Sequence, residues 1–185
     1  QEGLNHYLGY RIEHYYHEKG DTKSLLNDNI WSLLSDSSNR LWIGTDSGLN
    51  LYNHDSKEFS RFDLGLESPV GQRNAVFVLF EDNDGNVWVG NGFGLTRIGL
   101  DDELKYYQYD IINNSIGKGS VRAIYQSSDG LLWIGTEEGG ISVYDPLQDL
   151  FENISETLPD KNVRHILEDD FGSIWVATYS GGLAI

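Results

Sequence analysis

Four side chains suited to ligand binding recur at nearly regular intervals along the chain. They are two aromatic rings and two guanidinium groups, 46, 45 and 42 residues apart: Trp31, Phe77, Arg122 and Arg164. Aromatic rings can stack on a sugar ring, and guanidinium groups clamp a carboxylate through paired hydrogen bonds. The set, with the adjacent His165, therefore predicts a site for an anionic saccharide or a small organic acid.

A structural role for the two arginines is the alternative. The chain has 29 acidic and 13 basic side chains, so Arg122 and Arg164 could instead pair with carboxylates of neighbouring sheets. The sequence leaves both interpretations open.

The elements that position these residues are indicated by a second periodic set. Four tryptophans show the same spacing, and each is followed two residues later by a small residue and six residues later by glycine: Trp42, Trp88, Trp133 and Trp175; Gly44, Gly90, Gly135 and Ala177; Gly48, Gly94, Gly139 and Gly181. A fixed period of 42 to 46 residues indicates a repeat architecture.

Each repeat predicts four strands. An apolar run begins twelve residues before each tryptophan, and its continuity predicts a strand buried on both faces. A polar tetrad that closes in Asn or Gly follows and predicts a tight turn: DSSN, DNDG, SSDG and DDFG. The tryptophan strand and a third strand come next. The fourth strand carries two apolar or aromatic residues three apart: Phe59 and Phe62, Tyr106 and Tyr109, Phe151 and Ile154.

The fold class that follows is all-β, a β-propeller of four-stranded antiparallel blades with four blades in this chain. The predicted blades span residues 29–63, 75–110, 120–154 and 162–185, after an outer strand at 10–17. We expect the tryptophans to pack between neighbouring blades, the small residues to permit close approach, and the glycines at the sixth position to adopt positive φ. Residues 1–185 then form a single propeller closed by residues 10–17, or a fragment of a larger one.

The rim of the predicted site comes from turns on the same side of the blades. Loops that enter the innermost strands share a face with the turns between the second and third strands. Those turns supply four further candidates: Asp46, Phe93, Glu137 and Tyr179.

Composition and motifs exclude several other functions. The formal charge of −16 disfavours nucleic acid and anionic lipid as partners, and the absence of cysteine excludes thiol chemistry. No metalloprotease, nucleophile or nucleotide motif is present, and EDNDGN at residues 81–86 predicts a turn rather than a calcium loop. We therefore predict no catalytic residue, no metal and no cofactor.

The repeats resemble a known family. SLLNDNIWSLLSDSSNRLWIGTDSGLNLYN at 24–53 and SIGKGSVRAIYQSSDGLLWIGTEEGGISVYD at 115–145 are similar to the two-component regulator propeller repeat; the second unit departs at Asn91 and the fourth at Ala177. This resemblance implies the extracytoplasmic sensor region of a bacterial membrane signalling protein, with about seven blades in the whole propeller. It also implies a kinase or diguanylate cyclase output domain outside these residues, and polysaccharide fragments as frequent ligands.

The expected function is thus a non-enzymatic, periplasmic ligand-sensing module that contacts the membrane only through its parent protein. Its partners are an unidentified small ligand and either a second copy of the chain or neighbouring blades. Two alternatives stay open: a dimerisation propeller without a small ligand, and a propeller lyase or glycosidase.

Overall fold

The computed structural model describes residues 3–65, 74–154 and 156–185, and every regular element in them is a strand. No helix capable of spanning a membrane occurs in these ranges. The chain forms two compact units, Gln1–Leu79 and Phe80–Ile185. The all-β prediction is confirmed.

The first unit contains a two-stranded and a four-stranded antiparallel sheet. The two-stranded sheet pairs β1 (Leu4–Tyr7) with β2 (Ile12–Tyr15), so the strand predicted at 10–17 has a partner that the sequence did not reveal. The first four-stranded sheet follows chain order: β3 (Ile30–Ser35), β4 (Leu41–Thr45), β5 (Gly48–Asn53) and β6 (Glu58–Phe62). Strand β7 (Val76–Glu81) contains the boundary between the units.

The second unit continues with strands in three antiparallel sheets. The second sheet has the order of β7, β8 (Val87–Asn91), β9 (Gly94–Ile98) and β10 (Leu104–Tyr107). The third sheet contains β11 (Val121–Gln126), β12 (Leu132–Thr136), β13 (Ile141–Asp145) and β14 (Leu150–Asn153). The fourth contains β15 (Val163–Glu168), β16 (Ile174–Thr178) and β17 (Leu183–Ala184). A single propeller over residues 1–185, closed by residues 10–17, stays a prediction.

Each tryptophan is tied to the turn that precedes it. The indole N–H donates to the first residue of the polar tetrad, over 2.7–2.9 Å, in all four repeats: Trp42 to Asp36, Trp88 to Asp82, Trp133 to Ser127 and Trp175 to Asp169. The last tetrad residue has positive φ, as predicted: Asn39, Gly85, Gly130 and Gly172. Trp42 and Trp88 are fully buried, whereas Trp133 and Trp175 are only partly buried.

The small residue after the tryptophan allows two strands to approach closely. A Cβ atom on Gly44 would lie 2.8 Å from Val76 Cγ1, and one on Gly135 would collide with Val163. The prediction for the glycine at the sixth position is wrong in two repeats. Gly48 and Gly94 have positive φ, but the later turns are one residue longer, so the next residues adopt it: Gly140 and Gly182.

Two further predictions need correction. β3 and β15 are not buried on both faces, because Trp31 and Leu33 are each 53% exposed and Leu167 is 41% exposed. In β10 the buried ring is Tyr107, 9% exposed, and not Tyr106, 40% exposed. The register gives the reason: Leu104 pairs with Ile98 as Phe59 pairs with Tyr52, and Tyr107 pairs with Leu95 as Phe62 pairs with Leu49, so the two equivalent positions are 104 and 107.

A tyrosine pair joins neighbouring sheets in each unit. We call each tyrosine pair, together with the ion pair beside it, a tyrosine clasp. In the first clasp the hydroxyls of Tyr15 and Tyr52 lie 2.9 Å apart, and Lys57 binds Glu13 at 3.0 Å. In the second clasp the hydroxyls of Tyr107 and Tyr144 lie 2.9 Å apart, and Lys105 binds Asp149 at 2.6 Å. Each pair packs on a phenylalanine ring, Phe59 or Phe151. Carboxylate, lysine and tyrosines therefore form one connected network per unit.

Candidate functional site

Three of the four periodic candidates occupy β-bulges. The strand register shifts at the second residue of β3, β11 and β15, so that one extra residue stands outside the ladder: Trp31, Arg122 or Arg164. A bulge bends the strand and re-aims the side chain of the inserted residue. The positions at which the repeats differ in chemistry are thus positions where the backbone releases a side chain from the regular pattern of the sheet.

The first unit brings Trp31, Phe77 and Asp46 together in what we call the aromatic cluster. The Trp31 indole N–H donates to Asp46 Oδ1 over 2.6 Å, and Asn29 Nδ2 donates to Asp46 Oδ2 over 3.0 Å. The rings of Trp31 and Phe77 meet edge to face with centroids 5.4 Å apart. An exposed indole and a carboxylate therefore share one end of the innermost strand.

The second unit brings Arg122, Glu137, Arg164 and Tyr179 together in the arginine cluster. Arg122 donates to Glu137 Oε1 from Nε over 2.9 Å and from Nη2 over 2.6 Å. Arg164 Nη2 lies 3.5 Å from the same oxygen, and the Arg164 guanidinium carbon lies 4.9 Å from the centroid of the Tyr179 ring. One carboxylate oxygen is thus shared by two cations.

Backbone hydrogen bonds hold these turns beside the strand starts. The Glu137 N–H donates to the Ser120 carbonyl over 3.0 Å, and the Tyr179 N–H donates to the Asn162 carbonyl over 2.8 Å. Asp46 makes the equivalent bond to Asn29. In three sheets the second turn and the entry to the innermost strand therefore lie on one side, as the sequence predicted.

The two arginines differ in how firmly they are held. The Arg122 side chain is 17% exposed and that of Arg164 is 36% exposed. Burial lowers the pKa of Arg122, the Glu137 carboxylate opposes that shift, and the nearby charge of Arg164 adds to it. Arg122 is therefore an ion-pair partner of Glu137 in its own sheet. The sequence also allowed each arginine to pair with a carboxylate of a neighbouring sheet. Within the described residues only Arg164 does so, through its longer contact with Glu137.

Two buried polar atoms on residues that contact Tyr179 have no hydrogen-bond partner among the described residues: Arg164 Nε, a donor, and Asn162 Oδ1, an acceptor. A buried polar group without a partner is costly and is uncommon in folded proteins. Sequence analysis missed Asn162. The sequence does hold a sign of it, because Asn29 and Asn162 occupy equivalent positions, two residues before Trp31 and Arg164.

Phe93 and His165 lie apart from these contacts. The Phe93 N–H donates to Asn91 Oδ1 over 3.0 Å, within its turn. His165 is exposed and follows the bulge on the strand itself, opposite Ala177. Within the described ranges, no hydrogen bond, ion pair or ring contact joins His165 to the arginine cluster. The proposed ligand role of all nine predicted residues stays a prediction.

The predicted turn at EDNDGN is present. Asp82 Oδ1 accepts the N–H groups of Asp84 and Asn86, which is the geometry of a closed turn. The described residues contain no group of three His, Asp or Glu side chains placed to hold a metal ion. In the fourth sheet, Asp160 Oδ2 accepts from both the N–H and the hydroxyl of Ser180, so this carboxylate is occupied.

Comparison with known proteins gives a consistent result. The profile of the two-component regulator propeller family matches residues 24–47, 71–93, 115–138 and 157–180, which together make up half of the chain. A protein named histidine kinase P4 from Formosa agariphila is 29% identical over 150 residues. That match covers 74% of this chain and 10% of the kinase, so the chain spans about a tenth of that relative.

Solved structures show the same fold. The extracellular domain of a protein described as a hybrid two-component system from B. thetaiotaomicron matches with a TM-score of 0.80 at 22% identity, over 98% of this chain and 24% of that one. Virginiamycin B lyase from Staphylococcus aureus matches with a TM-score of 0.67 at 16% identity, over 96% and 60%. At such identities the likeness establishes the β-propeller fold alone, and the predicted fold class is confirmed.

Proposed function

The chain belongs to the two-component regulator propeller family, and on that premise we propose that it is a ligand-sensing module of a bacterial transmembrane signalling protein. It lies outside the cytoplasm, in the periplasm, and is not an enzyme. The kinase or cyclase output domain belongs to the parent protein. The names of the similar proteins, a histidine kinase and the extracellular domain of a hybrid two-component system, support this proposal.

One observation carries the proposal. The repeats keep their tryptophans and turns, yet at the bulge they carry different chemistry, an indole in one sheet and guanidinium groups in two others. A side chain outside the ladder is not needed for strand pairing. Its variation therefore fits recognition of ligand groups of different chemistry by different sheets.

Signalling follows if the ligand has unequal affinity for two arrangements of the parent protein. A ligand shifts such an equilibrium only by the ratio of its two affinities. The side chains at the bulges are not fixed by strand pairing. Their contacts with a ligand can therefore differ between the two arrangements of the parent protein.

The test uses the intact signalling protein in its own bacterium. Strains carrying the wild-type gene, the double substitution Trp31→Ala and Arg164→Ala, or the control Lys161→Ala are exposed to a panel of polysaccharide digests, and the transcriptional response is measured. We expect the double variant to lose a response that the wild type and the control retain, at equal protein level. A response that is independent of both clusters would contradict the proposal.

Dimerisation without a small ligand is a second candidate, because Leu167 and Leu183 of the fourth sheet are exposed. Light scattering of the purified chain tests it: a stable dimer in which Leu167→Glu abolishes association would favour this role.

A lyase is a third candidate, favoured only by the fold likeness to virginiamycin B lyase. Incubation of the purified chain with polyuronates, followed by the ultraviolet absorbance of the double bond that elimination creates, tests it. Turnover that disappears in Glu137→Gln would replace the sensor proposal with an enzymatic one.

A further inference from the structure

Building on the proposed function, we propose that the arginine cluster, together with Asn162, binds a monoanionic hydroxycarboxylate, a sugar acid of the uronate type, with its carboxylate on Arg164 and a hydroxyl on Asn162. Arg122 and Glu137 act as the fixed support of this site. The inference names the ligand class and adds Asn162, which is not among the nine predicted residues.

The donor geometry of Arg164 favours a carboxylate ligand. Arg122 and Arg164 meet one Glu137 oxygen, and Asp160 is near enough to interact with Arg164, so two positive and two negative charges balance here in a chain of net charge −16. Guanidinium groups bind carboxylates through two parallel N–H donors. The local balance lets a carboxylate approach a guanidinium here, although the protein as a whole repels it.

Arg164 is the arginine that can take the ligand. Its contact with Glu137 is 3.5 Å long, whereas that of Arg122 is 2.6 Å. Its Nε is buried without a hydrogen-bond partner, and its guanidinium rests on the Tyr179 ring. A small rotation of the side chain would present Nε and Nη2 together, which is the pair of donors that a bidentate carboxylate needs.

Asn162 requires a donor and so cannot be satisfied by the carboxylate. Its buried Oδ1 has no partner, and its backbone carbonyl holds the Tyr179 N–H. The unpaired acceptor and the unpaired donor thus belong to two residues that each contact Tyr179, Asn162 through its backbone and Arg164 through its guanidinium group. A ligand with a hydroxyl close to its carboxylate completes both, and the exposed ring of Tyr179 offers an apolar face to the C–H groups of a sugar.

The surrounding carboxylates limit the ligand to one negative charge. Glu137 lies on one side of Arg164, and the Asp160 carboxylate is near enough for the two charges to interact. Hydrogen bonds from the Asn162 N–H and from Ser180 lower the pKa of Asp160 and keep it ionised. A second charge on the ligand, as in a phosphate or a dicarboxylate, would face these groups.

The experiment titrates the purified chain with four probes: D-galacturonate, D-galactose, acetate and inorganic phosphate. Galactose lacks the carboxylate, acetate lacks the hydroxyl, and phosphate carries the second charge. We expect galacturonate to bind at least about tenfold more tightly than the other three, measured by calorimetry or by NMR shifts of the Tyr179 and Asn162 amides.

Two variants and a control locate the site. Arg164→Lys keeps the charge but removes the paired donors, and Asn162→Asp places a like charge beside the ligand; each should weaken galacturonate binding about tenfold or more. Lys161→Ala, at the residue before Asn162, should leave it unchanged. The amide spectrum of each variant verifies its fold, and Arg164→Lys is conservative enough to retain it.

Equal affinity for galacturonate and galactose, no detectable galacturonate binding, or binding that survives Arg164→Lys would overturn the inference. These failures differ from failure of the sensor proposal. If the bacterium still responds through this chain to a neutral saccharide, the module is a sensor and only the ligand class is wrong. If no stimulus acts through the chain, the proposed function itself fails.

Discussion

The two tyrosine clasps have the same geometry but opposite charge order. In the first, the residue two before the leading tyrosine is the acid Glu13, and the turn five residues past the second tyrosine supplies Lys57. In the second, Lys105 and Asp149 occupy these positions with the charges exchanged. Lys57 and Asp149 even share a left-handed backbone, at φ 58° and 56°. The repeat therefore fixes a pair of complementary positions and not a residue type at either one.

The exchange changes how the hydroxyls are used. In the first clasp the leading tyrosine, Tyr15, donates to the carboxylate of Glu13 over 3.1 Å. In the second the following tyrosine, Tyr144, donates to Asp149 over 2.7 Å, and the leading tyrosine, Tyr107, donates to the same oxygen over a longer 3.3 Å. Tyr144 is 1% exposed and also meets the Trp88 ring, whereas Tyr52 is 9% exposed. The second clasp is thus the more deeply buried and should contribute more to stability.

The largest effect is expected when the buried Tyr144 of the second clasp is truncated. Tyr144→Ala should lower the free energy of unfolding by about 3–5 kcal/mol, because a ring packed against three others leaves a cavity. Tyr52→Ala should cost less. Chemical denaturation measures both, with Tyr106→Ala as an exposed control within about 0.5 kcal/mol of wild type. An equal loss in the two clasps would show that burial does not distinguish them.

Removing only the tyrosine hydroxyl separates its hydrogen bonds from the packing of the ring in each clasp. Tyr144→Phe deletes a donor to a charged acceptor and should cost about 1.5–3 kcal/mol. Tyr52→Phe deletes a bond between two neutral hydroxyls and should cost about 0.5–1.5 kcal/mol, since Tyr15 keeps Glu13. The same denaturation measurement applies, and the reverse order would contradict the assignment of hydroxyl roles.

Exchanging the charges tests whether the pair is the conserved unit. Lys105→Glu should destabilise the second clasp, and adding Asp149→Lys should restore about 0.5–1 kcal/mol of coupling, as for partly exposed pairs. Glu13→Lys with Lys57→Glu should likewise recover stability relative to either single variant. A double-mutant cycle measures both. Double variants no better than the singles would mean that the charge order is set by other contacts.

The smallest expected effect is at alkaline pH. Burial and hydrogen bonds raise the pKa of Tyr144 above its ordinary value, and likewise that of Tyr15. A raised pKa in the folded state gives stability that is present below the unfolded value near 10 and is lost as pH rises above it. At pH 10.5 the loss per tyrosine should be below about 1 kcal/mol. Thermal melts at pH 8 and 10.5 measure it, and Tyr144→Phe should reduce the difference; an unchanged difference would argue against this origin.

Local patterns predicted the fold well, because each repeats four times. The turns and tryptophans are set by residues six apart or fewer, so the sequence shows them directly. The errors arise where residues between elements are gained or lost. Gly140 turns the chain in place of Gly139 because that turn is one residue longer. The buried ring is Tyr107 and not Tyr106 because the fourth strand pairs in a register that sequence spacing did not reveal. The strand β1 lacks the repeat signature and was missed.

The candidate site was predicted in part for a different reason. The period identifies Arg122 and Arg164 as equivalent, but only the structure shows that Glu137 holds one tightly and the other loosely. The equivalent asparagine Asn29 marks the position of Asn162 in the repeat, but the role proposed for Asn162 rests on an atom that packing leaves without a partner. An atom without a partner has no counterpart in spacing or residue type.

The bulges at the entry to the innermost strands have a consequence for how such arrays diversify. A residue inserted outside the ladder can be replaced without altering any hydrogen bond between strands, so mutation there is insulated from folding. A duplicated gene segment can keep its scaffold intact while its recognition residue drifts from indole to guanidinium. A new binding specificity can then arise in one repeat without destabilising the neighbouring repeats.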